Sequence, residues 1–304
     1  MNPLVLYFAS GETLYIGGGI LLVTIILSPW AKSRWQKRLR NLAAIVGLLL
    51  MILSCAPLPW ILYGGLAASF IAWLIAWNQT PKKWIRTATA TCLAVTITTA
   101  IAMELPHRHD RILTQGQHNH LTIIGDSISA GIKSGPTWSA IYSTKGVRIK
   151  NLSRAGIVVG EAMPMARKMT PQDTLILIEL GGNDLLMDVA AADFEQDLDR
   201  LLTAIATPAR QLVMMELPLL PHKIPFGQIQ RRLAKKYNVL LIPKRHFIQV
   251  LSGGDATSDG LHLSLTGMMK MSKLVNRFVG QTLQKNDETR MTNDESNPND
   301  RMFE

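Results

Sequence analysis

Two short stretches, far apart in the chain, hold the residue types needed for nucleophilic catalysis. Ser127 follows an apolar run at residues 121–125, and Asp259 precedes His262 by three residues in "SDGLHLS". A serine hydroxyl is a weak nucleophile unless a base removes its proton during attack. His262 is the candidate base, and Asp259 is the candidate acceptor that orients its ring. These residues predict acyl transfer to water.

The same chemistry needs hydrogen-bond donors for the oxyanion that forms during attack. Three candidates stand at polar turns that follow apolar runs: the backbone N–H of Ser127, the backbone N–H of Gly156 in "LSRAG", and the side-chain amide of Asn183 in "GGND". Glycine lets a backbone approach a ligand closely, and an amide donates without carrying a charge. We expect these three groups to form an oxyanion hole.

The elements that must position these residues alternate between strands and helices. Strands are predicted at residues 121–125, 147–151, 174–180, 211–217 and 239–243, and most of these runs are rich in Val, Ile and Leu. Amphipathic stretches between and after them predict helices at 136–145, 160–169, 193–206, 226–238 and 264–283. Such alternation is typical of a parallel sheet covered by helices on both faces. Ligands bind at the carboxyl ends of such strands, where all the candidates would meet.

The first hundred residues have a different composition. Uncharged apolar segments occupy residues 14–30, 42–58, 60–77 and 88–103, and tryptophans lie near their ends. Segments of this kind predict four transmembrane helices. Because no ionisable residue falls in the middle of any segment, we expect residues 1–103 to be an anchor rather than a transporter. Since no Lys or Arg precedes the first segment, a cleaved signal peptide is not expected.

Basic residues predict how this anchor is oriented. The connections after the first and third segments, "AKSRWQKRLR" and "NQTPKKWIR", are both basic and should be cytoplasmic. With four crossings, the N-terminus and everything after residue 103 should then lie outside. The formal net charge of +10 partly reflects these topology signals, so it is poor evidence for nucleic-acid binding.

The remaining segments carry little chemistry. A polar connector at residues 104–120 contains four histidines, but their spacing does not match a metal site, so no metal or other cofactor is expected. Residues 284–304 have no apolar periodicity, which predicts a disordered tail. Cys55 and Cys92 both lie in or beside membrane segments, so the predicted outer domain needs no disulfide.

Four blocks in order resemble the SGNH or GDSL hydrolase superfamily across residues 119–283. They are "IIGDSISAG" with Ser127, "KNLSRAG" with Gly156, "LIELGGNDLL" with Asn183, and "SDGLHLS" with Asp259 and His262. "ELGGND", "MMELPLLP" and "DGLHLSLTG" are similar to the bacterial periplasmic lysophospholipase, thioesterase and arylesterase group. The resemblance implies a flavodoxin-like α/β/α three-layer domain at residues 121–283 with a five-stranded parallel sheet. It also implies no metal and activity on acyl esters.

Together these observations predict a membrane-anchored serine esterase in the bacterial inner membrane, with its catalytic domain on the periplasmic or extracellular side. Its expected partners are the lipid bilayer and a small acyl-ester or lipid-ester substrate such as a lysophospholipid. One alternative is an O-acetyl esterase, or acetyltransferase, that acts on cell-envelope glycans. An alternative of another class is a catalytically silent binding module.

Overall fold

The computed structural model describes residues 3–80, 82–131, 136–143 and 146–283, so the predicted disordered tail lies outside the described residues. The chain divides into two compact units. One contains Arg111–Leu217 and the chain from Gln230 onward, and the other contains the residues up to Asp110 together with Pro218–Ile229.

The first part of the chain is entirely helical. Its helices are α1 (Pro3–Ala9), α2 (Thr13–Leu27), α3 (Arg34–Ile52), α4 (Trp60–Gln79) and α5 (Lys83–Glu104). Three stretches of the described residues are long and apolar enough to cross a membrane: Thr13–Trp30, Trp60–Gln79 and Lys83–Arg108.

The predicted span at residues 42–58 is not among these three stretches and does not coincide with a single helix. Ser33 and Gln36 form a capping box that starts α3 before the basic residues, so Lys37, Arg38 and Arg40 belong to the same helix. The helix ends at Ile52, before the prolines at 57 and 59, which cannot continue it. Its uncharged part, residues 42–52, is shorter than the roughly 20 residues that span a bilayer.

Glycines bring α2 and α3 close together. A Cβ at Gly17 would lie 2.5 Å from the Gly47 carbonyl oxygen, so neither position has room for a larger residue. Leu21 and Trp73 are fully buried in the apolar core of this bundle. Close approach over small residues is typical of helices that pack in membranes.

The other unit contains a five-stranded sheet in which every strand is parallel, as predicted. The strands are β1 (His120–Gly125), β2 (Arg148–Asn151), β3 (Leu175–Glu179), β4 (Gln211–Met215) and β5 (Leu240–Ile242). Their order across the sheet is β2-β1-β3-β4-β5. This flavodoxin-like order reverses direction between β1 and β3, where such folds bind their ligands.

The three central strands of the sheet, β1, β3 and β4, are buried on both faces. Leu121 and Leu177 point into one apolar cluster with Phe278, while the alternating residues Ile124 and Ile176, on the opposite face, are also fully buried. The helices are α6 (Ser127–Ala130), α7 (Trp138–Ser143), α8 (Met163–Arg167), α9 (Gly182–Leu186), α10 (Ala191–Ile205), α11 (Ile224–Lys236), α12 (Lys244–Leu251) and α13 (Leu265–Val279). Strands buried on both faces explain why their sequences are continuous apolar runs.

Candidate active site

The candidate nucleophile stands on a tight turn between β1 and α6. Asp126 caps the start of α6, and its Oδ1 accepts a hydrogen bond from the Ile128 backbone N–H at 3.0 Å. A Cβ at Gly125 would lie 2.7 Å from the Ser129 Cβ, so only glycine fits where the strand ends. The turn leaves Ser127 half-buried at the carboxyl edge of the sheet.

A buried polar network that sequence analysis missed lies behind this turn. The Trp138 Nε1–H donates to Ser129 Oγ at 3.2 Å, and the Ser129 hydroxyl donates to Glu179 Oε2 at 2.8 Å. The carboxyl groups of Glu179 and Asp126 are also close enough to interact. The available signal was a glutamate that ends an otherwise apolar strand in "LILIE".

Burial keeps these two carboxyl groups from ionising easily. Complete burial, reinforced by the neighbouring Asp126, raises the pKa of Glu179 well above its usual value. Burial also raises the pKa of Asp126 to about 6, although the Ile128 N–H and the charge of His262 oppose that rise. Two carboxyl groups in contact do not both ionise readily. We assign the retained proton at neutral pH to Glu179, because the Ile128 N–H and the charge of His262 favour the ionised form of Asp126.

Asp259 and His262 form the pair that their spacing predicted. The His262 Nδ1 lies 2.6 Å from Asp259 Oδ2, while Asp259 Oδ1 accepts from the backbone N–H groups of His262 at 2.8 Å and Leu261 at 3.0 Å. The His262 N–H, followed by its ring, lowers the pKa of Asp259 and keeps it ionised. This contact orients the ring so that Nε2 is left for a second partner.

The candidate oxyanion donors lie on two loops that are tied together. Asn183 Nδ2 donates to the Ile157 carbonyl oxygen at 2.8 Å, which leaves its other N–H available. The buried Asp184 accepts from the Val159 backbone N–H at 3.1 Å. Gly156, on the same loop, is exposed and has a φ of +79°. The two loops therefore hold Gly156 and Asn183 at one edge of the sheet.

Neighbouring strands bring most of the predicted residues together. Ser127, Gly156 and Asn183 follow β1, β2 and β3, which are adjacent in the sheet. His262 lies near enough for its charge to lower the pKa of Asp126, the residue before the nucleophile. Among the hydrogen bonds of the described residues, none joins Ser127 to His262, and such catalytic contacts often tighten only when substrate binds.

Two of the four connector histidines, His118 and His120, lie at the opposite edge of the sheet. His118 bonds Thr174 Oγ1 at 2.8 Å, and His120 bonds the buried Asp173 at 2.8 Å. Both lie at the amino ends of β1 and β3. Within the part of the chain that the structure describes, no three His, Cys, Asp or Glu side chains are grouped as metal ligands.

Comparison with known proteins identifies the class to which this site belongs. Residues 123–270 match the GDSL-like lipase/acylhydrolase family. The esterase TesA of Pseudomonas aeruginosa is 24% identical over 168 residues, which cover 50% of this chain and 83% of that protein. The thioesterase 1/protease 1/lysophospholipase L1 of Escherichia coli is 28% identical over 136 residues, covering 40% of this chain and 65% of its own length. The arylesterase of Vibrio mimicus is 28% identical over 138 residues, which cover 40% of this chain and 69% of that protein.

Two solved esterase structures also overlap with part of this chain. The crystal structure of TesA covers 52% of this chain and 96% of its own, with 24% identity and a TM-score of 0.46. The match to the psychrotrophic esterase EstA from Pseudoalteromonas covers 53% of this chain and 96% of EstA, with 19% identity and a TM-score of 0.47. The matched residues form a serine ester hydrolase domain of the SGNH type. More particularly, the chain carries a GDSL-like lipase/acylhydrolase domain, homologous to TesA, lysophospholipase L1 and arylesterase.

Proposed function

We propose that this protein is a membrane-anchored, extracytoplasmic esterase that hydrolyses carboxylic esters through an acyl-enzyme on Ser127. The observation that carries the proposal is the Asp259–His262 pair. Its 2.6 Å contact directs Nδ1 of the ring to the carboxylate and leaves Nε2 for the serine hydroxyl. Two backbone N–H groups also hold the Asp259 carboxylate in place, so the carboxylate is positioned to orient the His262 ring.

In the first half of the proposed reaction, Ser127 Oγ attacks the ester carbonyl carbon while its proton passes to His262 Nε2. The carbonyl oxygen becomes an oxyanion and accepts hydrogen bonds from the Ser127 and Gly156 N–H groups and the Asn183 amide. The tetrahedral intermediate collapses and the C–O bond to the alcohol breaks. The alcohol leaves with the proton from His262, and Asp259 stabilises the imidazolium in between.

The second half repeats these steps with water as the nucleophile. His262 takes a proton from water, whose oxygen attacks the acyl-enzyme carbonyl. The same three donors hold the second oxyanion. Collapse releases the carboxylic acid, and the proton returns to Ser127. Every group used in the first half is therefore restored without a metal or other cofactor.

The helical unit supports the proposed membrane location and orientation. Arg40 Nη2 donates to Asn78 Oδ1 at 2.8 Å, and Arg40 and Arg86 face the same Trp77 ring. These contacts place the two basic connections at one end of the bundle. Helix α3 runs back alongside α2, even though the apolar part of α3 is short. Arg108 pairs with Glu12 where α5 leaves the bundle, at the other end. If basic connections are cytoplasmic, the chain emerges from α5 on the outer side.

A lipid ester is the proposed substrate class. A hydrolase attached to a bilayer has membrane lipids as its most concentrated esters, and one relative is named a lysophospholipase. The O-acetyl esterase alternative differs in the length of the acyl group. Hydrolysis of lysophospholipids together with long-chain aryl esters supports the proposal, whereas activity confined to acetyl esters replaces it by the alternative.

Covalent labelling tests the assignment of the nucleophile. A fluorophosphonate probe should label the full-length protein, and Ser127→Ala should abolish labelling and lower kcat by at least about 10³-fold. Ser252→Ala, at a serine bonded to the Gln249 carbonyl oxygen, is the matched control and should keep both. For the base, His262→Ala should inactivate, while the exposed His222→Ala should not. Equal labelling of the wild type and the Ser127 variant would overturn the mechanism.

A further inference from the structure

Four basic side chains surround one cavity at the end of the helical bundle. Lys37 and Arg40 from α3 and Lys83 and Arg86 from α5 line a space of about 620 Å³. This volume is within the range usual for small-molecule sites, about 300–1,000 Å³. None of the described residues that line it is acidic, and none belongs to the candidate catalytic site.

Neutral groups hold the two arginines in place. Arg40 is only 7% exposed, and its guanidinium donates to Asn41 Oδ1 and to Asn78 Oδ1, both at 2.8 Å. It also lies over the Trp77 ring at 5.7 Å, and Arg86 lies over the same ring at 5.5 Å. Amide oxygens and ring faces orient a cation without neutralising it, so the charge of Arg40 remains available to an anion.

The acidic residues of this unit lie elsewhere. The chain has only three acidic residues before β1, which are Glu12, Glu104 and Asp110. Glu12 pairs with Arg108, and Glu104 ends α5, about 27 Å along the helix from Arg86 at 1.5 Å per residue. Among the described contacts, no carboxylate pairs with any of the four basic residues of the cavity. The site therefore has a net positive charge that its own unit does not compensate.

The wall of the cavity is suited to a hydrocarbon chain. Thr87, Ala90, Thr91 and Ala94 line it at the spacing of a single helical face, and Ile25 and Ile26 of α2 lie opposite. The four small residues of α5 leave a groove about 10 Å long, from seven residues at 1.5 Å each. Along α5 the cations come first and the small residues follow, so the cavity has a charged end and a less polar end, which matches an amphipathic anion.

We propose that this cavity binds an anionic phospholipid, with the phosphate among Lys37, Arg40, Lys83 and Arg86 and an acyl chain along α5. Basic pockets between membrane helices recognise lipid headgroups in this way. Guanidinium groups pair with phosphate oxygens through paired N–H donors, and a lysine adds a point charge. The site is a binding site in the helical unit, separate in residues and chemistry from ester hydrolysis at Ser127.

Two double variants with the same loss of charge test the headgroup contact. The double variant Lys37→Gln/Lys83→Gln removes two cations that line the cavity. The control double variant, Arg38→Gln/Lys82→Gln, removes two exposed cations that are next to them in the sequence but do not line the cavity. Binding of phosphatidylglycerol and phosphatidylcholine with identical acyl chains is measured by native mass spectrometry of the full-length protein in a neutral detergent. We expect phosphatidylglycerol to bind more tightly, the cavity variant to lose on the order of 30-fold, and the control to stay within about twofold.

Two further measurements separate a lipid from a free anion. Inorganic phosphate at millimolar concentration should not displace phosphatidylglycerol. Ala94→Leu, which fills the groove, should weaken lipid binding, while Ala88→Leu, on the same helix but outside the cavity, should not. An unchanged helical circular dichroism signal and thermal midpoint in detergent confirm that every variant is folded. Displacement by phosphate, equal losses in the two double variants, equal binding of the two lipids, or an unaffected Ala94→Leu would each overturn the proposal.

Discussion

Glu179 ends a strand whose other residues are all apolar. We infer that its carboxyl group stays protonated and that this proton allows it to act as a hydrogen-bond donor. As a protonated acid, it can donate to Asp126, while its Oε2 accepts from the Ser129 hydroxyl. It acts through these two residues, one on each side of Ser127, and so positions the nucleophile turn without touching substrate. A protonated glutamic acid and a glutamine have similar shape, and both offer one donor group and one acceptor oxygen.

This assignment predicts a pH-dependent effect of Glu179→Gln on stability. A carboxyl whose pKa is raised on folding stabilises the folded state less as pH rises above its unfolded value of about 4.5, because the unfolded chain then releases a proton that the folded chain retains. Glutamine cannot titrate. We therefore expect the temperature of half-inactivation of the variant to rise relative to wild type from pH 5 to pH 8.

Glu179→Ala is the comparison for this measurement, because it removes both hydrogen bonds and should lower the inactivation temperature at every pH. Rescue of kcat by Gln but not by Ala would identify the neutral carboxyl as the working form. If Glu179→Gln instead loses stability as pH rises, the retained proton is assigned to the wrong group.

At the scale of single elements, the turn between β3 and α9 depends on Gly181. Its φ of +106° is rarely adopted by residues with a side chain, and a Cβ there would lie 2.8 Å from Leu217 Cδ1 and 3.1 Å from Phe194 Cε2. The turn places Asn183 in the first turn of α9, from which its amide reaches the Ile157 carbonyl oxygen. The geometry of the proposed oxyanion hole therefore depends on a glycine that contacts no substrate.

Gly181→Ala should destabilise the protein by about 1–3 kcal/mol and lower kcat, because relieving the strain moves Asn183. Gly254→Ala is the matched control, since a Cβ there meets no atom within 4 Å; its effect should stay within about 0.5 kcal/mol. Thermal inactivation and kcat for an aryl ester give both quantities. Equal effects of the two substitutions would show that the turn tolerates a side chain.

At the scale of the whole molecule, the proposed orientation gives each side of the membrane its own chemistry. The basic connections and the cavity between them would face the cytoplasmic leaflet, where anionic lipids and basic residues attract each other. The proposed active site would face the opposite side. The proposed orientation depends on helix α3, which runs back beside α2. Its uncharged part is shorter than that of a usual membrane span.

Cysteine labelling in intact cells tests this orientation. In a background with Cys55→Ser and Cys92→Ser, Thr114→Cys in the connector should react with a membrane-impermeant maleimide, whereas Lys32→Cys should react only after the cells are lysed. Both positions are exposed on the protein, so accessibility differs only through the membrane. If only Lys32→Cys is labelled in intact cells, the true orientation is the reverse of the proposed one.

Local sequence was enough to predict the parts of the site that are built from neighbours in the chain. Asp259 and His262 are three residues apart, so a single turn brings them into contact, and their pairing followed from spacing alone. The central strands β1, β3 and β4 were found because burial on both faces leaves continuous apolar runs. The edge at which Ser127, Gly156 and Asn183 lie followed because parallel strands share their carboxyl ends.

Only the tertiary structure decided what depends on contacts between distant residues. The sequence by itself determined the chemistry that Ser127, Asp259 and His262 offer and the basic, apolar character of the first hundred residues. It could not determine the protonation of Glu179, because that follows from burial against Asp126 and Ser129 on another element. Nor could it group Lys37 with Lys83 around one cavity, because their charges meet only when α3 and α5 pack into the same bundle.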